Sequence, residues 1–346
     1  MYDLVIVGSG PSGLAAALAA KRRGLGYIAL ERGAIADTIY HYPLAKPLFS
    51  SSQEVELEAD ALPRNAKPTR EQVLRHYNDV AVREGLNIKT GEEVRLITPT
   101  DRGFIVETDQ SLHRSLTVLV AVGGFGRQRK LNVAGEDDRR VSYRFSEAQP
   151  FAGKRVLVVG GGNSAAESAL FLAEAGASVT LSIRRSALDT DEEVEEKPTA
   201  RARIKPWVIE PLNRAIGEGA IRLIARSEVT EIRPHAALLR VRRGSEIDLV
   251  ETECDHIFAL IGADPDTRLL AEAGALIDED GRPVYDPSTY ETSVEGMYVA
   301  GHITRELHMK NALAIAKRVA ERIASQIVEK VKTENADCRA RSRRES

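Results

Sequence analysis

Two glycine turns of one kind, Gly8-Ser9-Gly10-Pro11-Ser12-Gly13 and Gly160-Gly161-Gly162-Asn163-Ser164-Ala165, recur in a single chain of 346 residues. Each turn restricts its surroundings to a buried strand, a tight bend and a helix. Before the first, Leu4, Val5, Ile6 and Val7 read as a short buried strand, and an alanine-rich helix is predicted over 14–23. Gly8 permits the bend, Gly10 lets backbone approach a pyrophosphate, and Gly13 lets helix pack on strand. Free N–H groups and the dipole at the helix start, in the turn that carries Pro11 and Ser12, favour an anion. A second strand over 27–30 leads to Glu31, about twenty residues beyond the glycines. A carboxylate there accepts hydrogen bonds from an unmodified ribose, such as that of FAD.

The second copy repeats the pattern with a strand over 155–159, a helix over 165–175 and a strand over 178–183, but ends in Arg184-Arg185 with no acid. Two guanidiniums at that place attract a 2′-phosphate, which points to NADPH over NADH. The same pair is also compatible with a solvated strand end. Two cradles with ribose positions of opposite charge imply two nucleotides, a flavin beside a nicotinamide.

The length suits about two domains. A hydrophobic content of 43% supports ordinary cores, and a net charge of −3 gives no sign of nucleic-acid binding. No apolar run reaches the roughly 18 residues of a membrane span. Met1-Tyr2-Asp3 runs straight into a strand without a signal peptide, so a cytoplasmic protein is expected. Cys254 and Cys338 form no C-x-x-C pair, which argues against a disulfide framework and a dithiol of thioredoxin type. They read as a buried apolar thiol and a tail thiol.

Between the fingerprints, residues 39–52 form a turn-rich segment (Tyr40-His41-Tyr42-Pro43, Pro47-Leu48-Phe49-Ser50-Ser51-Ser52), too polar for a core and too aromatic for a linker. Such segments line sites. An amphipathic helix is predicted over 69–84 with Val73, Tyr77 and Val80 on one face. Strands are predicted at 87–88, 93–98, 104–108 and 116–122. Small residues then lead through Gly123-Gly124-Phe125-Gly126 toward Gly135-Glu136-Asp137, a crossing from a first domain to a second; the return follows a strand over 255–262. A strand over 296–301, within the segment 292–301, and a final helix over 311–327 complete the pattern. The acidic stretch Asp191, Glu192, Glu193, Glu195 and Glu196 reads as a solvated face, with Arg201 or Arg203 as alternative phosphate contacts.

This order of motifs resembles the two-domain pyridine nucleotide–disulfide oxidoreductases of thioredoxin-reductase type. More narrowly it is similar to the bacillithiol disulfide reductase family, on Ile39-Tyr40-His41-Tyr42-Pro43, Phe49-Ser50-Ser51-Ser52, Lys67-Pro68-Thr69-Arg70, Ile204-Lys205-Pro206-Trp207, Gly281-Arg282-Pro283 and Glu291-Thr292-Ser293-Val294-Glu295-Gly296. The resemblance covers most of residues 1–328. It implies an α/β fold of two Rossmann-like, three-layer ββα domains that bind FAD and NAD(P), the second inserted in the first. The FAD domain would comprise 1–126 and 264–328 and the NADPH domain 127–263, with 329–346 a disordered tail. Expected FAD contacts are Gly8, Gly10, Pro11, Ser12, Gly13, Glu31, Arg32, Val94, Gly123, Gly301, His302, Asn311 and Ala312. Expected NADPH contacts are Gly160, Gly162, Asn163, Ser164, Ala165, Arg184, Arg185, Ile261 and Gly262. In such an architecture the last helix points its N-terminus at the flavin, and the chain works as a homodimer.

Two positions depart from the resemblance. Ser12 stands where the family is expected to carry a cysteine proposed as its redox thiol, and a serine forms no mixed disulfide. His302 stands where thioredoxin reductases place an aspartate on the ribityl chain, a duty that a backbone N–H can take over. The chemistry then rests on the cofactors, with a hydride passing from NADPH to the flavin N5. Its acceptor is a low-molecular-weight disulfide, a quinone, a small carrier protein such as ferredoxin or flavodoxin, or dioxygen. His41, Tyr42 and His308, with Tyr40, are the groups to seek near the flavin face, although a lone histidine is more often structural. The leading expectation is an FAD-dependent NADPH oxidoreductase acting without a CxxC dithiol. A ferredoxin or flavodoxin–NADP reductase is the alternative, and a nucleotide-binding redox sensor or a flavin monooxygenase ranks below it.

Overall fold

The structure is a computed structural model that describes residues 1–64, 66–188, 204–306 and 308–342. The chain forms two compact units. Unit 1 comprises Met1–Tyr40, Ala45–Arg127 and Asp264–Ser346, and unit 2 comprises His41–Leu44 and Gln128–Ala263.

Unit 1 begins with β1 (Tyr2–Val7), α1 (Pro11–Arg22) and β2 (Tyr27–Glu31). Two short helices follow, α2 (Asp37–Tyr40) and α3 (Ser52–Val55), then α4 (Arg70–Arg83). Thr69 caps α4, its hydroxyl accepting from the Gln72 N–H while the Gln72 side chain returns to the Thr69 N–H. Val73, Tyr77 and Val80 are fully buried on one face of α4, as their spacing requires. Strands β3 (Ile88–Thr90), β4 (Val94–Thr100), β5 (Gly103–Thr108) and β6 (Leu112–Val120) complete this half, and β7 (Arg127–Gln128) leaves it.

In unit 2, β8 (Val141–Ser142), β9 (Arg155–Val159), α5 (Asn163–Glu174) and β10 (Ser178–Ser182) precede α6 (Pro206–Gly217). Next come β11 (Ile221–Ile224), a meander of β12 (Ser227–Arg233), β13 (Ala236–Arg243) and β14 (Glu246–Glu253), and β15 (His256–Ala259). The chain returns through β16 (Ala263–Asp264) to α7 (Arg268–Glu272), β17 (Met297–Val299) and α8 (Met309–Ser342).

The unit 1 sheet runs β3-β2-β1-β6-β5-β4, with β17 added in parallel on β6. Successive β1 side chains point to opposite faces. Leu4 and Ile6 pack with alanines of α1 and with Leu313, Ala316 and Val319 of α8, while Val5 and Val7 pack with Ile97, Phe104 and Val106. Unit 2 repeats the device in a parallel sheet ordered β11-β10-β9-β15-β8. Val156 and Val158 face α5 and α6, whereas Leu157 and Val159 face Val229, Leu239 and Val241 of the antiparallel meander. Each unit thus has helices on one face of its parallel strands and antiparallel β structure on the other, continuous with the sheet through β6, β5 and β4 in unit 1 and a separate meander in unit 2, in line with the resemblance.

Three expectations are corrected. Strand β6 begins at Leu112, not 116, because its hairpin with β5 extends pairing to Glu107↔Leu112, and it ends at Val120. Helix α8 continues to Ser342, where a disordered tail was expected from 329. No glycine or proline interrupts Met309–Ser342, and Ala, Glu, Lys and Arg sustain a helix after the apolar periodicity stops. Residues 41–44 group with unit 2 instead of the FAD domain, the Leu44 N–H donating to the Ser146 carbonyl at 3.1 Å.

Candidate functional site

In unit 1, β2, β1, β6 and β17 are parallel neighbours, so the segments leaving their C-terminal ends line one sheet edge. Across that edge stand Glu31, the Gly8–Gly13 turn, Gly123 and Gly301, a span of roughly 14 Å at about 4.8 Å per strand. Ligands of open α/β sheets bind along such an edge. The turn is closed below and open above. A Cβ on Gly8 (φ +101°) would lie 2.7 Å from the Ala121 carbonyl oxygen, and one on Gly13 would strike the Gly8 carbonyl, whereas Gly10 and Gly123 face open space. Gly10 is the N-cap of α1, Pro11 opens the first turn, and neither a side-chain cap nor an acid occupies that turn.

Glu31 is buried, and both its oxygens are committed to backbone. Oε2 accepts from the Ser9 N–H (2.8 Å) and hydroxyl (3.3 Å), and Oε1 from the Gly33 N–H (2.9 Å). A carboxylate offers about four acceptor sites. One is left for a ribose hydroxyl, so the buried acid and the open glycines fit the adenosine and pyrophosphate of FAD.

Ser12 is buried in the first turn of α1, where its hydroxyl donates to the Ala312 carbonyl of α8 at 3.4 Å. A Cβ on Gly301 (φ +81°) would lie 2.6 Å from the Ser12 Oγ. The segment after β17 is a single 3-10 turn, Gly301–Ile303. His302 in it lies 6.2 Å from the Phe125 ring, edge to face. Ala312 is buried, whereas Asn311 is exposed and donates to Glu306 at 3.2 Å. Arg32 is exposed, and the Val94 side chain lies in the core beside Val7 and Leu30. Arg282, absent from the expected contacts, directs Nη1 to the carbonyls of His302 (3.0 Å), Ile303 (3.3 Å) and Thr304.

Unit 2 builds the second cradle from the same parts. Gly160 (φ +141°) packs against the Leu260 carbonyl, Gly162 is the N-cap of α5 and faces open space, and Ala165 is fully buried. Ser164 is exposed, and the Asn163 Oδ1 accepts from the Lys205 N–H at 2.8 Å, tying the starts of α5 and α6 together. The expected Arg pair divides. Arg184 is exposed, whereas Arg185 is half-buried and donates from Nη2 to the Gly161 carbonyl. At the end of β15, Ile261 is half-buried, and the exposed Gly262 accepts from the Arg129 N–H at 3.0 Å. The acidic stretch, with Arg201 and Arg203, lies outside the described residues.

The three catalytic candidates are not assembled within either unit. His41 is exposed and Tyr42 half-buried, both in unit 2, while His308 is exposed in unit 1. Burial raises the Tyr42 pKa, and the Glu167 charge adds to it. Cys254 is fully buried in unit 2, and burial pushes its thiol up to about 11. A cluster of the buried His113 and Glu92 with the half-buried Ser111 imitates a catalytic triad. However, Ser111 Oγ (2.9 Å) and Glu92 Oε1 (2.7 Å) both meet the same His113 nitrogen, Nε2, so no relay passes through the ring.

The sequence profile of the pyridine nucleotide-disulphide oxidoreductase family matches residues 5–301. The chain is 32% identical to the bacilliredoxin reductase Bdr of Bacillus subtilis (strain 168), over 93% of this chain and 97% of that one. The solved bacillithiol disulfide reductase Bdr of Bacillus cereus superposes with a TM-score of 0.83 at 30% identity, covering 94% and 99% of the two chains. A ferredoxin–NADP reductase of Ignicoccus hospitalis is 27% identical over 88% of this chain and 90% of its own. With its paired cradles and this match across most of its length, the chain belongs to the pyridine nucleotide-disulphide oxidoreductases and is an FAD-dependent NADPH oxidoreductase.

Proposed function

We propose that the enzyme reduces a low-molecular-weight disulfide at the flavin itself, with no thiol of its own in the path. The balance is NADPH + H⁺ + RSSR → NADP⁺ + 2 RSH. One observation carries this reading: Ser12 occupies the place of the expected redox cysteine, and neither cysteine of the chain can stand in for it. Cys254 is buried with its thiol pushed up to about 11, so it holds almost no thiolate at neutral pH. Cys338 lies about 39 Å beyond Ala312 along α8, at roughly 1.5 Å per residue. Relatives named for bacilliredoxin and bacillithiol disulfide reduction support the substrate class.

When bound, FAD supplies the two-electron exchange between nicotinamide and acceptor. The chain's own part is to bind and orient. Glu31 accepts from the adenosine ribose of FAD, and the start of α1 takes the pyrophosphate. The start of α5 takes the pyrophosphate of NADPH, with Arg184 on the 2′-phosphate and Arg185 bracing the glycine loop. The Ser12–Ala312 bond sets the start of α8, the positive end of its dipole, beside the start of α1. A cytoplasmic homodimer is the setting we propose, and light scattering at twice the chain mass checks the dimer.

The test is a variant free of cysteine, Cys254→Ser with Cys338→Ser, in anaerobic stopped flow. Bleaching of the flavin by NADPH, and its return on adding a small disulfide, should match the parent within about twofold. Loss of the second phase alone would place a protein thiol in the path. A one-electron carrier protein is the second reading, favoured by the missing dithiol and by the ferredoxin–NADP reductase relative. It predicts return of the flavin colour with ferredoxin and none with disulfides.

A further inference from the structure

We propose that Arg282 is a positioning residue for the flavin-side half of the FAD site, taking over by backbone alignment what an acid after Ala300-Gly301 would do by direct contact. The inference rests on the FAD assignment of unit 1 and concerns a residue with no place in the expected contact set. Glu31 fixes the adenosine end of the edge, and the strand order then runs through the pyrophosphate turn and Gly123 to Gly301. The turn after β17 therefore meets the ribityl and ring portion.

That turn is held from one side by a single guanidinium. Arg282 Nη1 reaches the carbonyls of His302 (3.0 Å), Ile303 (3.3 Å) and Thr304, three consecutive peptides curled around one nitrogen. In a planar trans peptide the C=O of one residue and the N–H of the next point in opposite directions. Gathering these carbonyls toward Arg282 turns the following N–H edges away from it. The arginine is itself anchored through its main chain, its backbone N–H donating to Asp278 Oδ1 at 2.9 Å. Asp278 Oδ2 in turn receives Arg305 Nη2 at 2.6 Å, and Arg305 Nη1 meets Asp280 at 3.0 Å. Two arginines thus brace the turn against residues 278–282 in opposite senses.

Gly124 closes on the same His302 carbonyl oxygen, to which a Cβ there would lie 2.7 Å, and the buried Thr304 hydroxyl donates to the Gly301 carbonyl at 2.7 Å. This much fixation exceeds what a surface turn needs. It suits a segment whose peptide orientation is read by a ligand. Arginine is the suitable residue, because a fixed planar fork holds several carbonyls in one arrangement.

The experiment titrates the full-length chain, stripped of flavin, with FAD by fluorescence and with ADP by calorimetry. ADP fills the adenosine and pyrophosphate positions and leaves the flavin side empty. Arg282→Met should weaken FAD about tenfold or more, as expected for loss of a charged hydrogen-bond donor, while ADP stays within about twofold. Arg282→Lys, which keeps a cation and donors, should recover part of the FAD loss. Should Arg282→Met fail to fold, Arg282→Lys alone decides, with FAD weakened and ADP unchanged as the expected result. Equal losses for FAD and ADP, or FAD binding unchanged in either variant, would overturn the proposal. Failure of the parent chain to bind FAD would instead overturn the cofactor assignment.

Discussion

Glu31 has three hydrogen bonds before any nucleotide arrives, so its replacement is felt twice. In Glu31→Gln the amide NH₂ must face either the Ser9 or the Gly33 N–H, donor against donor. We expect a loss of about 1–3 kcal/mol in stability and at least tenfold weaker FAD, read from thermal unfolding and from flavin content on purification. The Arg pair predicts a split. Arg184→Ala should raise KM for NADPH by about tenfold or more and leave NADH unchanged, whereas Arg185→Ala should impair both nucleotides, because Arg185 holds the Gly161 carbonyl. Steady-state kinetics with the two nucleotides checks this. The glycines, Glu31 and the Arg pair were legible in sequence because the strand-turn-helix chemistry is local. Arg282 was not, since its partners lie some twenty residues downstream and meet it only in the fold. The different duties of Arg184 and Arg185 were equally hidden, because two identical side chains differ only in what the backbone sets beside them.

At the level of elements, regular apolar periodicity marks its helices in the sequence, whereas elements without it leave little trace. Helix α4 announced itself through Thr69 and its apolar stripe, and Thr69→Ala should cost about 1 kcal/mol, seen as a lowered unfolding temperature. The meander β12–β14 left no such trace. Only one of its faces meets the core, and charged residues such as Glu231, Arg233, Arg240 and Glu251 pair across the others. The far part of α8 went unseen for a related reason, since propensity without amphipathicity resembles disorder. Among the described side chains, the buried positions of α8 run from Ala312 to Ala324, with Met309 and Ile327 packed against the same core. Ending the chain after Glu329 should therefore leave flavin content and thermal stability unchanged, and a loss of either would show that the far turns are structurally required.

Across the whole molecule, buried histidines should respond to acid before the hydrogen-bonded carboxylates, with His76 in unit 1 lowered by burial as His256 is in unit 2. His256 in unit 2 is held at about 4, below its ordinary 6.5, by burial first and then by the charges of Lys154 and Arg140. Its contribution is complete above about 6.5 and is lost as pH falls toward 4, where the unfolded chain binds the proton and the folded one resists it. Glu92 in unit 1 lies at about 2. Burial alone would raise it, but hydrogen bonds from His113, Ser111, Thr108 and Lys89 outweigh that together, so its contribution persists until pH falls from about 4.5 toward 2. Trp207, the sole tryptophan, lies in unit 2, while bound flavin reports on unit 1. Acid titration should change Trp207 fluorescence as pH falls from about 6.5 toward 4, and His256→Gln should shift that change to lower pH. An unshifted change in His256→Gln would count against the role of His256.

The burial of Glu31 and the exposure of Arg184, in the roles proposed for them, carry a last consequence, for ionic strength. The Debye length falls from about 10 Å at 0.1 M salt to about 3 Å at 1 M. Dissolved ions reach the Arg184 guanidinium but are kept from the Glu31 carboxylate. Brine should therefore loosen the diffusible coenzyme while the resident one stays seated.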